Sequence, residues 1–305
     1  MIARLSLPIA ALALLGACAP AERADDSAPP AAVALDITDA GFSTPECVLH
    51  DVAADVYLVS NINGAPIDQD DNGFVSRLSP DGAVLALKWI DGAAESVTLN
   101  APKGMTIRHD TLFVADIDVV RLFDRTSGAA LGEWALEGAA FLNDLAVGPD
   151  GTLYVTDSGL EMGEGGLAPN GKDGVYRREG DRWAAIVTGA GLGNPNGIIA
   201  DGAGVTVVTF GSGEVFALNP VSGERTPLGK PEQGQLDGVV RLTDGSLLIG
   251  SWGAQAVYRM APGGAFARFG SDSIASPADI GLDASRGALL IPDFLGNRVL
   301  VRPVR

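Results

Sequence analysis

The stretch NDLAVGPDGTLYVTD, residues 143–157, decides the fold class of this chain. Two apolar runs, 145–147 and 153–155, flank a Pro-Asp-Gly turn at 149–151. Proline presets φ for such a turn, and glycine accepts the positive φ that its last position needs. Short apolar runs bounded by turn residues are typical of buried strands. The stretch therefore predicts a β-hairpin that begins and ends with a polar side chain.

The same layout recurs five more times along the chain. In each copy a polar lead residue precedes two apolar runs, and the second run ends 13 or 14 residues after the lead. Copies recur at intervals of about 40 residues, which is the length of a four-stranded propeller blade. We therefore predict an all-β fold, a six-bladed β-propeller. The lead residues of the six copies are Glu46, Lys103, Asn143, Asn196, Asp237 and Asp279.

Two of the intervals are longer because they contain insertions, at residues 61–73 and 158–174. Both insertions follow the second strand of a blade, so we expect them to overhang the mouth of the central tunnel. The last copy contains only three predicted strands before residue 305. We expect residues 32–37 to supply the fourth strand, because pairing the two ends of the chain closes the ring and removes an open edge.

Composition supports a large apolar core and excludes some partners. Hydrophobic residues make up 47 %, charged residues 19 %, and the 40 glycines suit many tight turns. The net charge of −17 repels nucleic acid phosphates and anionic lipid headgroups, so neither is an expected partner. A surface of this charge chiefly maintains solubility.

The N-terminal residues have the pattern of an export signal. A single early charge, Arg4, precedes an apolar run that ends in Leu15-Gly16-Ala17-Cys18, which is similar to a bacterial lipobox. We predict a lipoprotein signal peptide at 1–17, lipidation of Cys18, a flexible tether at 18–32 and the propeller at 33–305. The protein would then be exported and lipid-anchored on the periplasmic side of the cell envelope, touching the membrane only through this anchor. An ordinary signal peptide with an incidental cysteine is the alternative.

The lead residues carry the functional prediction. The innermost strand of each blade lines the tunnel, so its first residue lies at one rim and the six form a ring. Buried polar groups without partners cost free energy, and a hard cation would satisfy them. The oxygens suit Ca²⁺, Mg²⁺ or Mn²⁺, whereas only two histidines, His50 and His109, are present for a zinc site. The alternative is that they cap strands and bind tunnel water. The candidate metal ligands are Glu46, Asn143, Asn196 and Asp237.

Four motifs in this order, at blade spacing, resemble one known family. They are Pro45-Glu46, Asn143-Asp144 before VGPDGTLYVTDS, Pro195-Asn196-Gly197 and Leu236-Asp237-Gly238. Together they make residues 40–305 similar to the senescence marker protein/gluconolactonase/luciferin-regenerating enzyme family of calcium-dependent six-bladed propellers.

The resemblance implies one divalent cation, with Ca²⁺ favoured and Mn²⁺, Mg²⁺ or Zn²⁺ as alternatives. It implies that Glu46, Asn196 and Asp237 are ligands, and that Asn143 is a ligand or a substrate contact. It also implies that Asp237 is the general base of a lactone hydrolysis, acting while the cation polarises the ester carbonyl.

Two positions depart from that pattern. Some family members have an arginine where this chain has Phe141, which makes a polar sugar lactone a weaker expectation and a more apolar ligand a stronger one. Lys103 brings a cation into the ring, where it would bind an anionic substrate, stabilise an oxyanion or pair with Asp279. Asp279 is then that partner or an extra ligand. Phe141, Lys103, Asn143 and Asp279 are the predicted substrate contacts.

Three functions remain open from the sequence. The first is a metal-dependent hydrolase of lactones or related esters, with a small-molecule substrate. The second is a non-catalytic propeller that binds a ligand or a protein in the cell envelope, since a fold does not determine a function. The third is a lyase of the strictosidine-synthase kind.

Overall fold

The protein is described by a computed structural model that covers residues 1–2 and 31–304. The predicted signal peptide, Cys18 and most of the predicted tether lie outside the described residues. Among the residues described, no helix is long and apolar enough to cross a membrane.

Six four-stranded antiparallel sheets form the six blades of a β-propeller, which confirms the predicted fold. In the first five blades the strands run outward from the axis in chain order. The third blade also carries a separate two-stranded hairpin, inserted between its second and third strands. The strands from the N-terminus through the first three blades are β1 (Leu35–Ile37), β2 (Pro45–Asp51), β3 (Val56–Asn61), β4 (Phe74–Leu78), β5 (Val84–Asp91), β6 (Pro102–Arg108), β7 (Thr111–Asp116), β8 (Val119–Asp124), β9 (Ala130–Ala135), β10 (Leu142–Val147), β11 (Leu153–Asp157), β12 (Leu160–Gly163), β13 (Gly166–Pro169), β14 (Gly174–Glu179) and β15 (Arg182–Thr188).

The remaining three blades follow the same plan. A short 3₁₀ turn, Ala190–Leu192, leads into the fourth blade. The strands of these blades are β16 (Pro195–Asp201), β17 (Gly204–Thr209), β18 (Val215–Leu218), β19 (Arg225–Gly229), β20 (Leu236–Arg241), β21 (Leu247–Ser251), β22 (Ala256–Met260), β23 (Phe266–Phe269), β24 (Gly281–Asp283), β25 (Ala288–Asp293) and β26 (Arg298–Pro303).

The N-terminal strand closes the ring as predicted. β1 pairs antiparallel with β26, with Leu35 opposite Val301 and Ile37 opposite Val299. The sixth sheet thus contains strands from both ends of the chain, in the order β1-β26-β25-β24. This arrangement gives β26 a partner on both sides and joins the first and last blades without a disulfide.

Apolar side chains fill the spaces between neighbouring blades. Leu58 and Val75 of the first blade form one cluster with Leu112 and Val114 of the second, and all four are essentially inaccessible to solvent. Comparable clusters lie at other blade junctions. The core is therefore distributed around the ring, and the axis is left to the innermost strands.

The innermost strands of the first five blades contain an irregularity in register at the same place. In each strand the pairing with the second strand is interrupted just after the first residue, for example between Pro45 and Val48 and between Leu236 and Val239. A β-bulge re-aims the side chains that it contains. The bulge here comprises the predicted lead residue and the residue that follows it.

Close packing of these strands requires glycine after several of the lead residues. A side chain at Gly104 would overlap the carboxylate and backbone of Asp144, and one at Gly197 would overlap the backbone of Asp237. Glycine therefore permits neighbouring inner strands to approach closely at the axis.

Candidate functional site

Five of the six predicted ring residues line one cavity at a mouth of the tunnel. They are accompanied by a ring of apolar residues, and the cavity volume is about 290 Å³. We call its polar inner end the floor and its apolar part the wall. The floor residues are Glu46, Lys103, Asn143, Asn196, Asp237 and, in the sixth blade, Ala278.

The sixth floor position corrects the register of one prediction. Pro277 pairs with Asp293 as Pro45 pairs with Asn61, so Ala278 is the counterpart of Glu46. Asp279 lies one residue further on and lines a separate cavity, which lies further along the tunnel and is also lined by the inner strands of all six blades. The sequence predicted Asp279 instead of Ala278 as the sixth lead residue because it assumed that all six hairpins have nearly the same number of residues. The hairpins in fact differ in length.

The loops that lead into the floor residues are anchored by the last residue of the second strand of the same blade. Asp116 Oδ1 accepts a hydrogen bond from Ala101 N (2.8 Å), just before Lys103. Asp157 Oδ1 accepts one from Phe141 N (3.0 Å), just before Asn143. Because both carboxylates are fully buried, these bonds hold the start of each inner strand in place.

Four floor residues each have a buried side-chain oxygen that no described residue meets with a hydrogen-bond donor. The side chains are at most about 5 % exposed, so water does not readily compensate for the missing partners. These are the same four side chains that the sequence nominates as metal ligands. The oxygens are Glu46 Oε2, Asn143 Oδ1, Asn196 Oδ1 and Asp237 Oδ1.

Burial disfavours the ionised form of the two floor carboxyls. Burial raises the pKa of Glu46 well above its ordinary value, and the charges of Asp237 and Asp279 add to the effect. Burial also raises the pKa of Asp237, as does the charge of Asp144. The indole N–H of Trp252 opposes this rise, although it lies outside ordinary hydrogen-bond geometry. A cation between these groups would reverse the effect and favour both carboxylates.

The donor set fits a hard divalent cation. Two carboxylates supply a formal charge of −2, and two amide carbonyls add neutral oxygens. Within the described residues no group of three or more His, Cys, Asp or Glu is arranged to hold a metal. That result agrees with a mixed site, because two of the four candidate ligands are asparagines.

Lys103 is buried among these residues and forms no ion pair with any residue that the structure describes. Its side chain is 1 % exposed, its Nζ donates to Ala101 O (3.0 Å) and it lies 4.6 Å from the centre of the Phe141 ring. Burial lowers its pKa, while the charges of Asp116 and Glu46 oppose the change. Lys103 and Asp279 form no ion pair in the described structure. Lys103 lines the cavity instead, and its positive charge lies at the cavity floor.

A second layer of polar side chains lies one residue past the floor. Asp144 and Asp279 are buried there beside the thiol of Cys47. Asp144 is held by backbone donors, with Ile198 N at 2.7 Å from its Oδ2. Burial raises the pKa of Asp279, and a hydrogen bond from the Cys47 thiol opposes that rise. This layer places further acidic groups behind the floor.

The wall residues escaped the sequence analysis. Each directly follows the second strand of its blade, where the repeats were taken to end. The signal was present, since this position is apolar or aromatic in five of the six blades. These positions hold Ile62, Ile117, Ser158, Phe210, Trp252 and Phe294, and the four that line the cavity and form its wall are Ile62, Phe210, Trp252 and Phe294.

Both insertions contribute to the cavity, as predicted. Gly64 and Pro66 come from the first insertion. Leu160 and Leu167 come from the β12–β13 hairpin of the second.

Comparison of the sequence with models of protein families and with curated proteins finds no match in either case. Solved structures do match. A gluconolactonase from Xanthomonas campestris has a TM-score of 0.60 at 18 % identity, covering 90 % of this chain and 98 % of its own. Regucalcin from Agrobacterium tumefaciens, a calcium-binding protein, has a TM-score of 0.61 at 16 % identity, covering 87 % and 92 %.

A luciferin-regenerating enzyme has a TM-score of 0.68 at 11 % identity, with 89 % of this chain and 95 % of that chain covered. At such identities a structural likeness establishes the fold alone. The chain therefore shares the six-bladed propeller fold of gluconolactonase, regucalcin and the luciferin-regenerating enzyme, as the sequence motifs indicated.

Proposed function

We propose that the protein is a metal-dependent hydrolase of lactones or related esters, with its reaction centre on the cavity floor. One observation carries the proposal: four buried side-chain oxygens without partners converge at the mouth of the tunnel. The shared fold with a gluconolactonase supports the reaction class. The shared fold with a calcium-binding protein supports a calcium-like cation.

Glu46, Asn143, Asn196 and Asp237 would hold the cation through their unpartnered oxygens. When bound, a divalent cation supplies Lewis-acid polarisation of a carbonyl and lowers the pKa of water. The remaining chemistry belongs to the side chains around the floor.

Asp237 is the proposed general base. Oδ1 of this carboxylate would face the cation, whereas Oδ2, which accepts no hydrogen bond from the described residues, remains free to take a proton from a water that attacks the ester carbon. Burial and the neighbouring Asp144 raise its pKa. These effects oppose the lowering of the Asp237 pKa that a bound cation would cause.

Lys103 is proposed to stabilise the oxyanion. Its ammonium group has three donors, and the described contacts use one of them, on the carbonyl of Ala101. The others are available to a negative charge that develops in the cavity, where low polarity strengthens the attraction. The Phe141 ring beneath it holds the ammonium in place through a cation–π contact.

Metal analysis of the purified protein and of two variants tests the proposal. Wild type should contain one equivalent of a divalent cation and hydrolyse at least one lactone or aryl ester when Ca²⁺, Mn²⁺, Mg²⁺ or Zn²⁺ is present. Glu46→Gln should lose the cation and the activity together. Glu95→Gln, which changes an exposed glutamate away from the cavity, should retain both.

Asp237→Asn separates the two roles of this residue when its cation content is measured beside its activity under saturating cation. It should lower kcat by about two to four orders of magnitude, the usual contribution of a general base. Full activity of Asp237→Asn would remove the base from the proposal. A bound cation without turnover of any ester would leave a metal-binding propeller that is not a hydrolase.

A further inference from the structure

We infer that the substrate carries an apolar group of aromatic or medium-chain alkyl size, and that it is not a polyhydroxylated sugar lactone. This inference rests on the proposed function, since it names the substrate class for the same cavity. The inference is drawn from the contrast between the polar floor of the cavity and its apolar surroundings, which are the wall and a roof formed by the β12–β13 hairpin.

The wall presents a continuous aromatic surface on one side of the cavity. The Phe210 and Trp252 rings meet edge to face at 5.7 Å between centroids. The Trp252 and Phe294 rings are tilted at 49° with centroids 5.3 Å apart. These three residues come from three successive blades at equivalent positions, and aromatic rings pack well against flat apolar groups. Phe141 lies in the same cavity, beneath Lys103.

The β12–β13 hairpin supplies an apolar roof. Leu160 pairs with Pro169 and Met162 with Leu167, so these four side chains share one face of the hairpin. Leu160 and Leu167 line the cavity, which shows that this face is turned toward it. Leu167 is nevertheless 40 % exposed and Met162 is 55 % exposed. An apolar group seated beneath the hairpin would remove this surface from water, which is favourable.

The wall and roof offer a sugar ring almost nothing to bind. Among the described residues that line the cavity, hydrogen-bonding side chains occur on the floor and, beyond it, only at Trp252. Each hydroxyl of a sugar lactone that enters such a site without a partner loses its hydrogen bonds to water. The arrangement therefore selects against a polyhydroxylated ring and in favour of an alkyl or aryl substituent.

The test compares binding and turnover of matched probes. Two lactams that resist hydrolysis, 6-pentylpiperidin-2-one and gluconolactam, are titrated into the calcium-supplemented protein by calorimetry. The pentyl lactam should bind at least about tenfold more tightly, because burying an alkyl chain contributes more than that factor. In parallel, δ-decanolactone, phenyl acetate and glucono-δ-lactone are assayed as substrates, and the first two should be preferred.

Variants of two leucines assign the effect to the cavity. Leu167→Ala should weaken the pentyl lactam by about three- to tenfold, as expected for partial loss of a leucine contact. Leu131→Ala is the matched control, because Leu131 is an exposed leucine of the outer strand β9 in the second blade. It should leave the affinity unchanged. Equal losses in the two variants would overturn the assignment of the roof.

The outcomes separate this inference from the proposed function. Preferred binding and hydrolysis of the gluconate compounds would overturn the inference and leave the hydrolase standing. Preferred binding of the pentyl lactam without hydrolysis of any ester would support the apolar site and overturn the hydrolase. Failure of both lactams to bind would overturn the inference.

Discussion

Replacing Asp157 with alanine tests how the loops around the cavity are held. Asp157 is fully buried, and its carboxylate accepts hydrogen bonds from Phe141 N (3.0 Å), Gly159 N (2.9 Å) and Ala140 N (3.1 Å). The first two donors are buried and the third is partly buried. In Asp157→Ala all three lose their acceptor, and the space left is too enclosed for water to replace it fully.

The magnitude follows from the number of unmade bonds. A buried donor left unsatisfied costs about 1–3 kcal/mol, so the three together amount to about 3–9 kcal/mol. Burial raises the pKa of Asp157, so the native protein already bears some cost for this charge. The lower figure, about 3 kcal/mol, is therefore the expected loss in the free energy of unfolding. Typical domains are stable by about 5–15 kcal/mol, so the effect is readily measured.

Equilibrium unfolding in urea, followed by tryptophan fluorescence and circular dichroism, measures this loss. Asp150→Ala is the matched control, since Asp150 accepts hydrogen bonds from Thr152 N and Thr152 Oγ1 at an exposed turn of the same blade. The control should change stability by less than about 1 kcal/mol. Equal unfolding midpoints for Asp157→Ala and Asp150→Ala would refute the view that buried anchors hold these loops.

Three further predictions concern other parts of the molecule. Gly104→Ala should lower the melting temperature strongly or prevent folding, because its Cβ would lie 2.6 Å from the Cα of Asp144, whereas Gly165→Ala, in open space, should melt like wild type. Hydrogen bonds from Ser285 and Arg286 overcome burial and lower the pKa of Asp283 to about 2. Because this pKa is lower than in the unfolded chain, the stabilisation is present above about pH 4 and is lost as the pH falls toward about 2. Acid titration of Asp283→Asn should therefore give a flatter stability profile over that interval, and an unchanged profile would contradict the assignment. Calcium at a hundredfold excess over its dissociation constant should stabilise wild type by about 2.7 kcal/mol, and removal by a chelator should abolish the shift. A thermal melt of Glu46→Gln that still responds to calcium would show that the cation binds elsewhere.

The blade count and the ring closure were predictable because both depend on local patterns. Each hairpin combines short apolar runs with turn residues, and six copies at blade spacing leave few other folds. The pairing of β1 with β26 followed from an incomplete last blade and an unpaired N-terminal strand. Such inferences need only the chemistry of strands and turns.

The floor of the cavity was predictable in part. Lead residues such as Glu46 and Asp237 were recognisable because a polar side chain at the start of an apolar strand costs free energy when it is buried in a core without a partner. The sixth position was missed because Ala278 carries no polar signal, while its neighbour Asp279 does. Hairpin length decides between them: Pro277 and its partner Asp293 are as far apart in the chain as Pro45 and Asn61, whereas Pro102 and Asp116 are closer together.

The wall could not be inferred in the same way. Phe210, Trp252 and Phe294 look in the sequence like the ends of buried strands, and Leu160 and Leu167 look like loop residues. Their common location arises because six blades place equivalent positions around one axis and a hairpin folds back over it. Contacts between residues so far apart in the chain exist only once the ring has closed.

The sequence by itself thus determined the fold, the closure of the ring and the chemical character of the floor, since these depend on periodicity and on residue type. The tertiary structure alone decided which oxygens are left without partners, which acidic residue lies behind the floor and which apolar residues enclose the cavity. The physical reason is that successive residues at the start of an inner strand face different cavities, so a shift of one residue moves a side chain from the floor to the cavity further along the tunnel.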